Sequence, residues 1–139
     1  MKEIPQIQEV MTPSPHTVGY DRPLSEARRL MRDYSIRHLP VVRGDNLIGM
    51  LSDRDLKLAE AMESAYQKST GLSVLVEDVC SHGAYQVAPT ESLAHVVISM
   101  AREGVGSAVI VDAGEVVGIF TTMDACRCFA DFLEAGNLY

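Results

Sequence analysis

A chain of 139 residues, 47% hydrophobic and 22% charged, has the size of one ordinary domain or of two fused small repeats, and the composition of a soluble globular protein. Its apolar runs, such as Val96-Val97-Ile98, are too short to span a bilayer, and Met1-Lys2-Glu3-Ile4-Pro5 lacks the apolar core of a signal peptide; a cytoplasmic address and no membrane partner are expected. The net charge of −7 argues against nucleic acid, which draws on clustered Lys and Arg, but leaves room for a mononucleotide, which needs only a few local cations.

In chain order, the two prolines of Val10-Met11-Thr12-Pro13-Ser14-Pro15 deny a helix and leave an extended segment. His16-Thr17-Val18 reads as a short strand. From Asp21 to Tyr34 the residues Leu24, Ala27, Leu30, Met31 and Tyr34 recur at helical spacing, which predicts an amphipathic helix with Asp21 as its N-cap. Leu39-Pro40-Val41-Val42 and Leu47-Ile48-Gly49-Met50-Leu51 read as strands joined by the tight turn Arg43-Gly44-Asp45-Asn46. After Ser52 a helix is predicted to about Tyr66, with Leu56, Ala59 and Met62 on one face, followed by a polar connector. In the second half, Gln86-Val87 is the strand, Glu91 to Glu103 the helix with Thr90 as its cap, and 108–111 and 116–120 the hairpin. The closing helix, Thr122 to Ala135, is apolar nearly all round, so it needs cover on more than one side and is the expected subunit interface.

One stretch occurs twice: Gly49-Met50-Leu51-Ser52-Asp53-Arg54-Asp55 and Gly118-Ile119-Phe120-Thr121-Thr122-Met123-Asp124. Both glycines and both aspartates are 69 positions apart, and the same offset sets Val10 on Val79, Val18 on Val87, Leu24 on Leu93 and Met31 on Met100. This is a duplicated unit of strand, helix, strand, strand, helix. Ser52 and Thr121 fall at a strand-to-helix turn, where a hydroxyl and free helix N–H groups can grip phosphate oxygens. A carboxylate one turn further in can accept from a diol such as ribose. The same residues also suit plain helix capping, since Ser and Thr are good N-caps and a carboxylate in the first turn complements the helix dipole.

The repeat, with Ile36-Arg37-His38-Leu39-Pro40-Val41-Val42 ahead of the first motif, resembles the CBS domain (cystathionine β-synthase domain), and two in tandem resemble a CBS pair, or Bateman module, covering about residues 8 to 135. The resemblance implies an α/β (α+β) fold of two β-α-β-β-α repeats, 8–66 and 75–135 with a connector at 67–74, packed about a pseudo-twofold axis with clefts that bind adenosine compounds. It implies a first ligand-binding set of Thr17, Val18, Pro40, Ser52, Arg54 and Asp55, with Arg37 and His38 reaching toward phosphates. A second set is Gln86, Val87, Ser107, Val109, Thr121 and Asp124. Each Asp would take ribose hydroxyls and each Ser or Thr a phosphate.

The copies differ where Arg54 becomes Met123 and Arg37-His38 becomes Gly106-Ser107. Desolvated phosphates need cationic partners, so the first set ranks above the second for AMP, ADP or ATP. The expected protein is therefore a stand-alone regulatory sensor of adenine nucleotides, a homodimer that signals to an unidentified partner protein. No required cofactor, no metal and no catalytic group are expected. The alternatives are a structural or dimerisation module working through the last helix, or a sensor of S-adenosylmethionine, NAD or a dinucleotide. Cys80, Cys126 and Cys128 lack a C-x-x-C spacing and read as reduced, mostly buried thiols. His16, His82 and His95 read as surface residues, and the methionines as core filler.

Overall fold

A computed structural model describes residues 3–136. In chain order, a 3-10 turn (Ile7–Glu9) leads to β1 (Thr12–Pro13), β2 (Val18–Gly19), α1 (Leu24–Tyr34), β3 (His38–Arg43), β4 (Asn46–Ser52), α2 (Asp53–Thr70) and α3 (Val76–Val79). Then come β5 (Ser81–His82), β6 (Gln86–Val87), α4 (Leu93–Glu103), β7 (Ser107–Asp112), β8 (Glu115–Thr121) and α5 (Thr122–Glu134). This is the two-repeat α+β fold expected from the sequence.

The chain forms two compact units, His16–Ala84 and a second made of the residues up to Pro15 joined to those from Tyr85 onward. The first has a four-stranded sheet in the order β2-β3-β4-β5, the second one in the order β1-β8-β7-β6. These units do not follow the sequence repeats. β1 and β5 are equivalent under the offset of 69, yet β1 pairs with β8 and β5 with β4, both antiparallel. Each repeat thus gives its opening strand to the other repeat's sheet.

The exchange extends to the helix starts. Leu24 N–H donates to Val74 O at 2.9 Å, and Leu93 N–H, its equivalent, to Pro5 O at 3.0 Å. An exchanged segment therefore satisfies the first helical amide with a backbone carbonyl. This corrects the expected caps: α1 and α4 have Pro23 and Ser92 at the N-cap position, with no side-chain cap bond. Asp21 and Thr90 lie outside both helices.

The core is built twice from matching residues. Leu24, Ala27 and Met31 of α1 pack with Leu39, Val41, Leu51 and Leu56. In the second unit Val96 and Met100 of α4 pack with Ala108, Ile110, Phe120 and Ile7. Leu51 and its equivalent Phe120 are fully buried, and burial of such a side chain is worth about 1.5–3 kcal/mol. They anchor the strands that end at Ser52 and Thr121.

Three further expectations need correction. α2 runs to Thr70, ended by Gly71 in the left-handed region at φ 73°, because Glu, Ala, Gln and Lys sustain a helix until a glycine permits the cap. Met62, one turn after Ala59, is 71% exposed, so the buried part of that face ends at Ala59. Of the cysteines only Cys80 is buried; Cys126 is exposed and Cys128 in between, since two positions apart on a helix face different ways.

Candidate functional site

In the first unit the candidate residues gather at one end of the sheet. His38, the first residue of β3, lies opposite Ser52, the last of β4, and Pro40 lies opposite Met50. Val18 in β2 pairs with Val41, which brings Thr17, one residue earlier, to the same end. Ser52 caps α2: Asp55 N–H donates to Ser52 Oγ at 3.2 Å, and Ser52 N–H donates to Asp55 Oδ2 at 2.9 Å. This is a reciprocal capping box. Asp53 N–H donates to Arg37 O at 2.9 Å, tying the start of α2 to the segment before β3. Asp55 is half-buried, and its Oδ1 accepts no hydrogen bond among the described residues. Arg37 and Arg54 are exposed.

His38 is also half-buried. Burial pushes its imidazole below its ordinary value, opposed by the carboxylates of Asp53 and Asp55 and assisted by the Arg37 guanidinium. Desolvation disfavours the charged ring, so at neutral pH His38 is a neutral donor and acceptor. Nearby, burial and then the Asp55 charge push the Cys80 thiol up, so it stays protonated.

The second unit repeats the framework. Ser107 lies opposite Thr121, Gln86 and Val87 pair with Val109 and Ile110, and Thr122 N–H donates to Gly106 O at 3.1 Å. Its carboxylate is differently engaged. Asp124 is 6% exposed. Its Oδ2 accepts Thr121 N–H at 2.8 Å and Thr121 Oγ1–H at 3.2 Å, while Oδ1 accepts Thr12 Oγ1–H and Arg127 Nη1–H, both at 3.1 Å.

Thr12 and Arg127 were not among the sequence candidates. Arg127, three residues after Asp124, carried an i,i+3 signal for an ion pair. Thr12 carried none, since its approach depends on the exchange of β1. The remaining histidines are exposed: His16 stacks on Tyr34 with ring centroids 3.7 Å apart, and His95 pairs with Glu91 at 2.6 Å. Among the described residues no His, Cys, Asp and Glu group is placed to hold a metal ion, and no helix is long and apolar enough to cross a membrane.

Two equivalent units, each with a hydroxyl-capped helix and an aspartate at its third position, define a tandem-repeat module, and the chain belongs to the CBS domain family, whose model matches residues 7–61 and 76–131. The chain is 32% identical over 119 residues to inosine-5'-monophosphate dehydrogenase of Korarchaeum cryptofilum, covering 85% of this chain and 22% of that enzyme. It thus spans about a fifth of that relative's length. In structure it is similar to a Vibrio cholerae protein assigned to acetoin utilization (AcuB), with 28% identity, a TM-score of 0.83, and coverage of 99% of this chain and 98% of the other. CBSX2, solved in complex with AMP, shares the fold with a TM-score of 0.79 at 23% identity, over 92% of this chain and 98% of that one.

Proposed function

We propose that this chain is a regulatory module that binds an adenosine nucleotide at the first motif and passes the bound state to a partner protein. The observation that carries the reading is the carboxylate of Asp55, fixed by the capping box through one oxygen with the other left unbonded, at the N-terminus of an 18-residue helix. A ribose diol suits the unbonded oxygen. Ser52 and the helix N-terminus suit a phosphate, with Arg37 and Arg54 supplying positive charge and His38 a hydrogen-bond donor. Thr17 offers the base a partly exposed side chain, and the buried Val18 and Pro40 would contribute through their backbone. In the second unit Gln86, Val87, Ser107, Val109 and Thr121 hold the equivalent positions, with a carboxylate that is already engaged.

The complex of CBSX2 with AMP supports an adenosine compound as the ligand class. No cofactor is required, and a nucleotide sensor of this kind belongs in the cytoplasm. A ligand acts on such a module only through different affinities for two arrangements, so signalling requires a bound and an unbound state that the partner distinguishes.

A thermal-shift panel of AMP, ADP, ATP, S-adenosylmethionine, NAD and cyclic di-AMP tests the reading, because a ligand that binds only the folded state stabilises it by RT ln(1 + [L]/Kd). A rise with one adenosine compound, absent with its guanosine analogue and lost in Asp55→Ala, is the expected result. No shift at millimolar concentration, with no nucleotide released on denaturation, sinks it.

A second reading concerns assembly. Met123, Phe129 and Phe132 of α5 are 59%, 55% and 41% exposed, a cost in water that a homodimer or a partner would remove. The proposal is a homodimer through α5. Polar substitution at Phe129 and Phe132 should then give a folded monomer by sedimentation; a dimer that survives it refutes the assignment.

A further inference from the structure

The two motif aspartates are in different chemical states. A carboxylate offers about four acceptor positions on its two oxygens. At Asp124 all are taken: Oδ2 by the amide and hydroxyl of Thr121, Oδ1 by Thr12 and Arg127. At Asp55 only Oδ2 is engaged, by Ser52 N–H.

Two sequence differences produce the contrast. The position equivalent to Arg127 is Leu58, an exposed apolar side chain with nothing to donate. The position equivalent to Thr12 is Ser81, whose hydroxyl donates to Met50 O at 3.0 Å and leaves Asp55 alone. A diol that reached Asp124 would have to displace the Thr12 hydroxyl and the Arg127 guanidinium, the latter on a side chain 70% exposed, from a carboxylate that is itself buried, and hydrogen bonds to an ionised acceptor are stronger than neutral ones.

We propose that Thr12 and Arg127 close the second motif, so that the chain takes one adenosine ligand, at Asp55, while Asp124 serves as a pin between β1 and α5. This rests on the nucleotide reading of the first motif. Thr12 and Arg127 are thus the residues that set stoichiometry. The closure is reversible by substitution: Thr12→Val with Arg127→Leu removes both donors, gives α5 the residue that α2 carries, and returns Oδ1 to the state of its counterpart.

Calorimetric titration with adenosine tests this, the uncharged probe being chosen because the second motif lacks the cations of the first. The expected result is one site per chain in the wild type and two in the Thr12→Val/Arg127→Leu protein. Asp55→Asn should weaken the wild-type event about tenfold or more, as loss of hydrogen bonds to a charged acceptor does. Two sites in the wild type, or a single site in the double variant, overturn the proposal while the nucleotide reading stands. No adenosine bound by either protein overturns the nucleotide reading instead, and melting then judges the pin. Thr12→Val should lower Tm by about 2–4 °C in the wild type and leave it unchanged in an Asp124→Ala background. Equal losses in both backgrounds overturn the pin.

Discussion

Gly49 faces the backbone carbonyl of Ser81 at a separation that leaves no room for a Cβ: one built on Gly49 would overlap the Ser81 oxygen. The equivalent glycine, Gly118, faces the side chain of Met11 instead. The motif glycine is therefore required by the strand that crosses it, and the two copies differ in what crosses. A backbone carbonyl held in a strand pair cannot step aside, whereas a methionine can change rotamer. Gly49→Ala should cost about 3 kcal/mol or more in urea denaturation, and Gly118→Ala about 1–2 kcal/mol. Equal losses would show that Met11 is as immovable as the β5 backbone.

Ser35 ends α1 in the left-handed region at φ 52°, and its equivalent Gly104 ends α4 at φ 67°. Glycine adopts this conformation without the Cβ clash that a serine bears. Ser35→Gly should raise stability by about 0.5–1 kcal/mol. An unchanged or lower melting temperature would mean that the Ser35 side chain makes up the difference.

The pH dependence of folding carries the mark of His38. Its folded pKa lies below the ordinary value of 6.5 because of burial, so below pH 6.5 the unfolded chain takes up a proton that the folded chain refuses. Stability therefore falls as pH drops through 6.5 toward the folded pKa, and levels off beneath it. Between pH 7.5 and 5.5 the wild type should lose more melting temperature than His38→Gln, in which the other titrating groups are unchanged. Parallel losses would remove His38 from the account.

The same group makes nucleotide binding respond to pH. A phosphate placed near His38 would favour the imidazolium, so AMP should bind more tightly at pH 6.2 than at pH 7.5, while adenosine, without a phosphate, should show no such change. His38→Gln should flatten the AMP profile. If adenosine shows the same slope, the phosphate does not face His38.

Arg28 in α1 donates to both carboxylate oxygens of Glu63 in α2, at 3.2 and 2.7 Å. The pair is partly exposed, so its worth is set by geometry more than by charge alone. Arg28→Ala should cost about 1 kcal/mol at low salt, and the cost should shrink in 1 M NaCl as screening weakens the pair. A cost independent of salt would assign Arg28 a packing role through its methylene stem.

The repeat, the sheet hairpins and the two capped helices were legible because they are local: an offset of 69, a period of two or of 3.6, a hydroxyl at a turn. The exchange of β1 and β5 was not, since two-residue strands carry no pattern and their partners lie far along the chain. Everything that depends on the exchange was hidden with it. The backbone carbonyls of Pro5 and Val74 replaced the caps expected at Asp21 and Thr90. Thr12 reached Asp124 across 112 positions. Burial of Asp124 and exposure of Cys126 likewise reflect which helix face the fold turns inward.

The crossing of β1 and β5 also governs how this protein can be divided. A fragment of residues 8–66 keeps β1, whose partner β8 lies in the other fragment, and lacks β5 to cover the edge of β4. Such a half has an open sheet edge and a loose strand of the matching kind, the conditions for domain swapping. Cutting the chain at its repeat boundary thus yields a half that completes itself only in another chain, whereas each unit of the fold keeps every strand with its own partner.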